Sequence, residues 1–474
     1  MIDDGQQVAK ELDTGPMANS RTNKPRPSYP DYRDSGVDWL GDLPSHWKLK
    51  RLKATAQRRD TKAASDASNQ LPYIGLEHIE SKAGNLLRMP QLWEEKTGQV
   101  SRFIHGDVLF GKLRPYLAKA FCAEFDGICT TELLVLEPTH YQRRYLLYLL
   151  LSDGFISQAD QSTYGARMPR TDWEFIGNLY LPVPSTNEQT VIGAYLDRET
   201  ERIDALVAKQ RELIERLDEY SSALITRAVT KGLPPNTAKA AGLDPEPPMK
   251  PSGVDWLGTI PNKWGLQRLG FALADSTAGG TPSTDREDYW AETDECGIPW
   301  VAIADMSNGR TVERTSKAVT ELGISDTRLK ILPRQTIIYS MYASIGVVAI
   351  LGLAAVTNQA ILGLQPRDHI AKPWLYWWLQ ALRGPVASLT RDNTQANLNA
   401  DTVHRLPILI PAIDEQLAIA AYLDRETARL DELRGKAEQL IERLREYRTA
   451  LISAAVTGKI DVRDAVDALA EVRD

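Results

Sequence analysis

Residues 35–52 read SGVDWLGDLPSHWKLKRL, and residues 252–269 read SGVDWLGTIPNKWGLQRL. A second pair lies downstream, where PSTNEQTVIGAYLDRETERIDALVAKQRELIERLDEYSSALITRAVTKG (184–232) matches PAIDEQLAIAAYLDRETARLDELRGKAEQLIERLREYRTALISAAVTGK (411–459). The pairs are offset by 217 residues (252 against 35) and 227 residues (411 against 184), so the chain is a tandem duplication of one long unit. Between the borders, 53–183 and 270–410 show little likeness in register. Kept borders around freed interiors suit a protein that presents two different readers on one frame; two paralogous domains that simply drifted are the other reading.

The downstream copies carry apolar residues at alternating spacings of three and four. They are Leu196, Ile203, Leu206, Leu213, Leu217, Tyr220 and Leu224 in the first copy. In the second they are Leu423, Leu430, Leu433, Ala437, Leu440, Leu444, Tyr447 and Leu451. That is coiled-coil spacing. Asn187 and Asp414 are expected to cap these helices, and Gly232 and Gly458, beside Lys231 and Lys459, to end them. About forty residues at 1.5 Å each gives rods of roughly 60 Å. Each rod's expected partner is the other, packed antiparallel, which implies a pseudo-twofold axis. The expected fold is α+β: two mixed domains on a pair of long antiparallel coiled-coil helices. The expected division is 1–34 as a flexible extension, 35–184 and 252–411 as the domains, 185–232 and 412–460 as the long helices, 233–251 as a stiff Pro-rich linker and 461–474 as an acidic tail.

At 474 residues, with 43% hydrophobic and 25% charged residues and no bilayer-length apolar run, the chain reads as a soluble multidomain protein. The first twenty residues lack a secretory signal, so a cytoplasmic location is expected, with either Met1 or Met17 as the start. Cys122, Cys129 and Cys296 form no metal or disulfide pattern and are expected to be buried thiols. A net charge of −7 speaks against a nucleic-acid binder, but the tail from Asp461 holds five acids against two arginines. Local clusters decide the matter.

In the first interior, Gly106–Lys119 reads as a strand feeding an exposed turn that would project Lys112, Arg114 and Tyr116. A second turn, Thr163–Arg170, offers Tyr164, Arg167 and Arg170. Arginine and lysine suit phosphate oxygens and the guanine O6/N7 edge, and tyrosine can stack. In the second interior the turn Thr277–Ser283 offers Thr281. The apolar strand Thr336–Ser344 offers Ser340, Tyr342 and Ser344, and the amide cluster Asn393–Asn399 offers Gln395 and Asn397 for adenine. Any single residue of the first interior reads equally well as part of a solvated loop, and polar amide clusters such as that of the second more often cap turns. Trp39, Trp47, Trp256 and Trp264 recur in both copies while the readers differ, so packing onto the frame explains them better than base stacking.

No active site is legible. There is no Asn/Asp-Pro-Pro-aromatic core for methyl transfer and no phosphate-binding loop. His46, His78, His105, His140, His369 and His404 are scattered without zinc spacing. Glu94-Glu95-Lys96 resembles half of a metal-dependent nuclease signature but reads better as a solvated charge run.

The quoted borders, together with PVPSTNEQTVIGAYLDRETERID and LIERLDEYSSALITRAVT, resemble type I restriction-modification specificity subunits from Ser35 to Val462. The resemblance implies target-recognition domains that each read half of a bipartite duplex DNA site, spaced by antiparallel helices. It further implies docking of two methyltransferase subunits carrying S-adenosylmethionine, and of restriction subunits that use ATP and Mg. This chain would then be non-catalytic and hold no cofactor or metal. Residues 1–34 have no counterpart before the second border. A self-contained nuclease or methyltransferase, and a coiled-coil protein that never meets DNA, are the competing classes.

Overall fold

The computed structural model describes residues 28–60, 71–90, 92, 99–165, 168–291, 297–307, 309–342, 344–391 and 398–464. The chain divides into two compact units, 1–210 with 439–474 and 211–438. Each unit therefore joins one diverged interior to a segment of each long helix.

In the first unit, β1 (Tyr32–Asp34) pairs with β2 (Asp42–Pro44), and β3 (Lys48–Arg51) pairs antiparallel with β11 (Tyr180–Val183). The second pairing ties the first border of the copy to the last strand of its interior and closes the domain between them. Inside, β4 (Ala56–Arg58), β10 (Leu133–Pro138), β7 (Val108–Gly111) and β8 (Ala120–Cys122) form an antiparallel sheet in the order β4-β10-β7-β8. A second sheet has the order β5-β9-β6, from β5 (Tyr73–Ile74), β6 (Val100–Phe103) and β9 (Gly127–Thr130). All four residues of β7 are buried, as befits a central strand with no solvent face. The helix α1 (Arg143–Leu151) buries Tyr145 through Leu151, and α2 (Asp153–Gln161) and α3 (Trp173–Asn178) follow it. The long helix α4 (Thr186–Lys231) comes next.

The segment 233–251 is folded rather than a bare linker: it holds α5 (Pro235–Ala240) with Ala238 buried, then β12 (Met249–Pro251) paired to β13 (Thr259–Pro261). This β12–β13 pair repeats β1–β2. Residues 32–34 therefore do have a counterpart before the second border, and the end of the N-terminal extension is part of the fold. Tyr29 is buried there, and the Tyr32 hydroxyl donates to Gly458 O at 2.9 Å.

The second unit repeats the first domain's main sheet with unrelated residues, adds a strand to it and orders its second sheet differently. β14 (Gly265–Arg268) pairs with β24 (Pro407–Ile410), as β3 pairs with β11. One sheet runs β15-β23-β20-β21-β18, from β15 (Leu273–Ala278), β18 (Thr311–Val312), β20 (Ile337–Ser340), β21 (Val348–Leu351) and β23 (Ile361–Pro366). Its first four strands match β4-β10-β7-β8. A second sheet has the order β16-β19-β17-β22, from β16 (Trp290–Ala291), β17 (Ile298–Val301), β19 (Lys317–Val319) and β22 (Val356–Thr357). The helix α6 (Lys372–Ala381) is apolar nearly all round and correspondingly buried, with Trp374, Trp377 and Trp378 in the core. Then come α7 (Arg383–Arg391), α8 (Ala400–Arg405) and the long α9 (Ile413–Val456).

The long helices start and face differently from the sequence reading. Ser185 caps α4: its hydroxyl accepts from Glu188 N while Glu188 Oε2 accepts from Ser185 N. That reciprocal pair is a capping box, and it leaves Asn187 inside the first turn. Asp414 likewise lies inside the first turn of α9. The C-terminal glycines behave as expected, with φ of +88° at Gly232 and +71° at Gly458. Of the proposed seam, Leu213, Leu217, Leu224, Leu433, Leu440 and Leu444 are half-buried and Leu451 is buried. Leu206, Tyr220 and Tyr447 are exposed instead, at 39%, 54% and 47%. On α4 the buried residues include Ile203 of the seam and, outside it, Val207 and Ala228, while Ile214 is half-buried beside the equally half-buried Leu213. Among the described residues no helix is long and apolar enough to cross a membrane.

Candidate nucleic-acid interface

Each domain is held to its long helices by one repeated device. Gln189, 1% exposed, accepts from Gln142 N at 2.6 Å and donates to His140 O and Pro184 O. Gln416, fully buried, accepts from Ala371 N at 2.8 Å and donates to His369 O and Pro411 O. The border tryptophans complete it. Trp47 Nε1 donates to Glu188 Oε1 at 3.2 Å, and Trp264 Nε1 donates to Glu415 Oε2 at 3.0 Å. Trp39 fills the space over Gly154, leaving no room for a Cβ there, and Trp256 sits 6.2 Å from Trp378. All four tryptophans thus pack against the frame or the domain.

The two carboxylates beside those indoles titrate in opposite directions. Burial pushes Glu188 up, but bonds from His46, Ser185 and Trp47 outweigh it and hold the group below its ordinary range. Glu415 has Trp264 as its only bonded partner among these causes, burial prevails, and its carboxyl is raised.

On this frame the candidate readers of the first domain come together. Beyond β7, Lys112 N donates to Glu132 O at 2.9 Å, Arg114 N to Pro169 O at 2.8 Å and Thr171 N to Lys112 O at 3.1 Å. The turns 112–119 and 163–170, fifty residues apart in sequence, therefore lie side by side. Arg114 (φ +51°) and Ala118 (φ +46°) hold left-handed backbone around the 3-10 turn Pro115–Leu117. Such strain costs about 1–3 kcal/mol per residue and concentrates at functional loops. Arg114, Tyr116 and Tyr164 are exposed and Lys112 is half-buried. Arg170 is not a free cation, because its guanidinium donates to both oxygens of Glu132 at 3.0 and 3.2 Å. Arg167 lies outside the described residues.

In the second domain β20 occupies the place of β7, and the same three backbone positions recur. Met341 N donates to Ala360 O at 2.7 Å and Leu398 N to Met341 O at 3.0 Å, as Lys112 N does to Glu132 O and Thr171 N to Lys112 O. The Thr281 hydroxyl donates to Gln359, next to Ala360, so its turn joins the same cluster. Thr281 and Ser344 are exposed and Tyr342 is half-buried. Ser340 belongs to the core: it is fully buried and its hydroxyl donates to Tyr342 O at 3.0 Å. Gln395 and Asn397 lie outside the described residues. Asn399, from the same amide cluster, caps α8 by accepting from Thr402 N at 2.8 Å. Cys122 and Cys129 are buried free thiols, and burial pushes Cys129 up to about 12.

Sequence reasoning missed Gln189 and Gln416, although both stand in the repeated Glu-Gln pair after the borders. It also missed Glu132, whose role depends on a strand pairing no local pattern reveals.

A duplicated frame that closes two domains built on the same main sheet, with interiors of different sequence, defines a two-domain scaffold. Residues 44–216 and 264–443 match the family described as type I restriction modification DNA specificity domain, and the chain belongs to that family. Among its relatives is the type I restriction enzyme MjaIX specificity subunit of Methanocaldococcus jannaschii. That match is 28% identical and spans 35% of this chain and 38% of the relative, so it reaches well under half of that protein. The HindI specificity subunit of Haemophilus influenzae is 21% identical over 66% of this chain and 79% of its own. A chain solved in work on assembly and conformational transition of the type I R-M system shares the fold with a TM-score of 0.68. It is 19% identical, over 87% of this chain and 98% of that one. The HsdS subunit from Thermoanaerobacter tengcongensis shares it with a TM-score of 0.50 at 20% identity, over 88% and 98% of the two chains.

Proposed function

We propose that this chain is the DNA sequence-specificity subunit of a type I restriction-modification complex, non-catalytic itself, with each domain reading one half of a bipartite, asymmetric duplex site. The observation that carries the reading is the equivalence of the loops after β7 and β20. Two domains with matching main sheets carry different side chains on the loops that follow these strands: Lys112, Arg114 and Tyr116 in one, Tyr342 and Ser344 in the other. Base edges are read by such side-chain differences while phosphate contacts fix the register.

The helices act as an antiparallel spacer and docking frame. In support, Asp204 on α4 pairs with Arg448 on α9 in the first unit, and Asp218 pairs with Arg434 in the second. Fourteen residues forward on one helix correspond to fourteen back on the other. Two methyltransferase subunits carrying S-adenosylmethionine dock on this frame in the cytoplasm, and restriction subunits using ATP and Mg join them. The test is to exchange residues 53–183 for another family member's in the complex with its methyltransferase partner. One half-site should change, and binding should fall steeply with salt. A change in both halves, or binding without sequence preference, refutes the proposal.

A further inference from the structure

The 227-residue offset aligns α9 with α4 position by position, and one of the aligned pairs that differ bears on how the domains are held. Arg448 stands where the first copy has Ser221. In the first unit the Arg448 side chain is 9% exposed and fully used. It donates to Asp204 at 3.1 Å, to Lys82 O at 2.7 Å and to Ala83 O at 2.9 Å. The Lys82–Gly84 turn, which follows the 3-10 helix Leu76–His78, is thereby fastened to the long helix. Lys82 N in turn donates to Ala118 O, at the end of the strained turn that carries Arg114 and Tyr116.

The second unit lacks that clamp. Ser221 is too short to bridge, Asp431 stands where Asp204 would be, and both line an open cleft of about 600 Å³. The equivalent turn, after the 3-10 helix Ile303–Ser307, supplies an arginine of its own. Arg310 Nη1 donates to Asp424 at 2.5 Å, and its guanidinium lies over the rings of Tyr376 (4.4 Å) and Trp377 (5.2 Å). Asp197, the first copy's equivalent of Asp424, is already occupied by Arg144 of α1.

We infer that Arg448 and Arg310 are the positioning residues that set each recognition domain's loop tip on the helices, with the arginine on the frame in one half and on the domain in the other. An interior moved from the first place to the second therefore leaves its clamp behind. This rests on the specificity reading, but one arm of the test does not. Hydrogen exchange of the full chain with its methyltransferase partner reads the clamp without DNA. Discrimination between duplexes mutated in one half-site reads positioning. Arg448→Ser should raise exchange at 79–87 about tenfold, leave 303–312 unchanged, and weaken discrimination at the first half-site alone by about tenfold. Arg448→Lys should recover part of both, and Arg310→Ala should mirror the pattern. Placing residues 53–183 between the second borders should restore selective binding only together with Ser221→Arg beside Asp431. Unchanged exchange at 79–87 overturns the clamp. Raised exchange with both half-sites or neither affected overturns the positioning role while leaving the specificity reading intact. A wild-type complex that does not discriminate at all breaks the specificity reading, with exchange still deciding the clamp.

Discussion

Replacing Gln416 by leucine removes a side chain of similar volume whose three bonds all end on buried main chain. Ala371 N loses its acceptor, and His369 O and Pro411 O each lose a donor. A buried polar group left unpaired costs about 1–3 kcal/mol. Taking about 2 for the amide and about 1 for each carbonyl, less about 1 regained by the apolar side chain, the loss is roughly 3 kcal/mol. For a unit of this size each kcal/mol moves the melting point by about 2–4 °C, so a drop of roughly 6–12 °C is expected. Urea unfolding gives the free energy, and hydrogen exchange across Lys372–Ala381 assigns it to the second unit, with exchange across Arg143–Leu151 unchanged. Gln189→Leu should show the reverse pattern. A Gln416→Leu loss under about 1 kcal/mol, or faster exchange at α1, would show that this glutamine does not join helix to domain.

The two border carboxylates predict opposite responses to pH. Glu188, held low, adds stability above the ordinary carboxylate range that is lost as pH falls through its folded value; Glu188→Gln should cost about 1–2 kcal/mol at pH 7 and less at pH 3. Glu415, held high, is disfavoured when ionised, so Glu415→Gln should be neutral or stabilising by up to about 1 kcal/mol at pH 7, with the difference vanishing on acidification; urea titration at both pH values checks each sign. Gly458→Ala should cost about 3 kcal/mol by thermal melting, since its φ is +71° and a Cβ would stand 2.5 Å from Pro44 Cδ. Gly435→Ala, with open space on α9, should stabilise by about 0.5–1 kcal/mol. Arg114→Ala should weaken specific DNA binding by about 1–3 kcal/mol if it meets a base edge, or lower the salt slope by about one if it meets phosphate; titration at several salt concentrations separates these, and no change in either removes Arg114 from the interface.

The duplication made the frame legible, because SGVDWLG and YLDRET repeat and the long helices carry a clear period. Most of the seam is buried or half-buried, but Leu206 and Tyr220 face solvent, since helical facing follows what each side packs against and a mixed apolar surface leaves more than one stripe open. The interiors gave up their turns but not their topology. Strand order β4-β10-β7-β8 depends on non-local pairing that alternation within Gly106–Lys119 cannot express. Ser340 illustrates the same limit from the other side. The apolar strand Thr336–Ser344 offered it as a reader beside Tyr342 and Ser344, but β20 is buried along its length and the Ser340 hydroxyl turns back to Tyr342 O.

The way the frame grips its domains explains how their sequences can diverge. Gln189 and Gln416 bond only main-chain N–H and C=O groups, which every interior offers whatever its side chains. β3 and β14 likewise hold β11 and β24, the last strands of the two interiors, through backbone ladders. At Asp197 and Asp424 the frame offers the interior a carboxylate, and each interior answers with its own donors: Arg144 and Tyr148 in one, Arg310 and Trp377 in the other. A carboxylate accepts from any cation or N–H in reach, so the demand on sequence is one suitable donor rather than one residue at one position. Substitutions at Asp197 or Asp424 should therefore be harder to compensate than substitutions at Arg144 or Arg310. The acceptor is fixed by the frame, while a donor can be supplied again from several places on the domain. Selection for new donors in an Arg310→Ala background against an Asp424→Ala background checks this: suppressors inside 270–410 should arise for the first and not for the second.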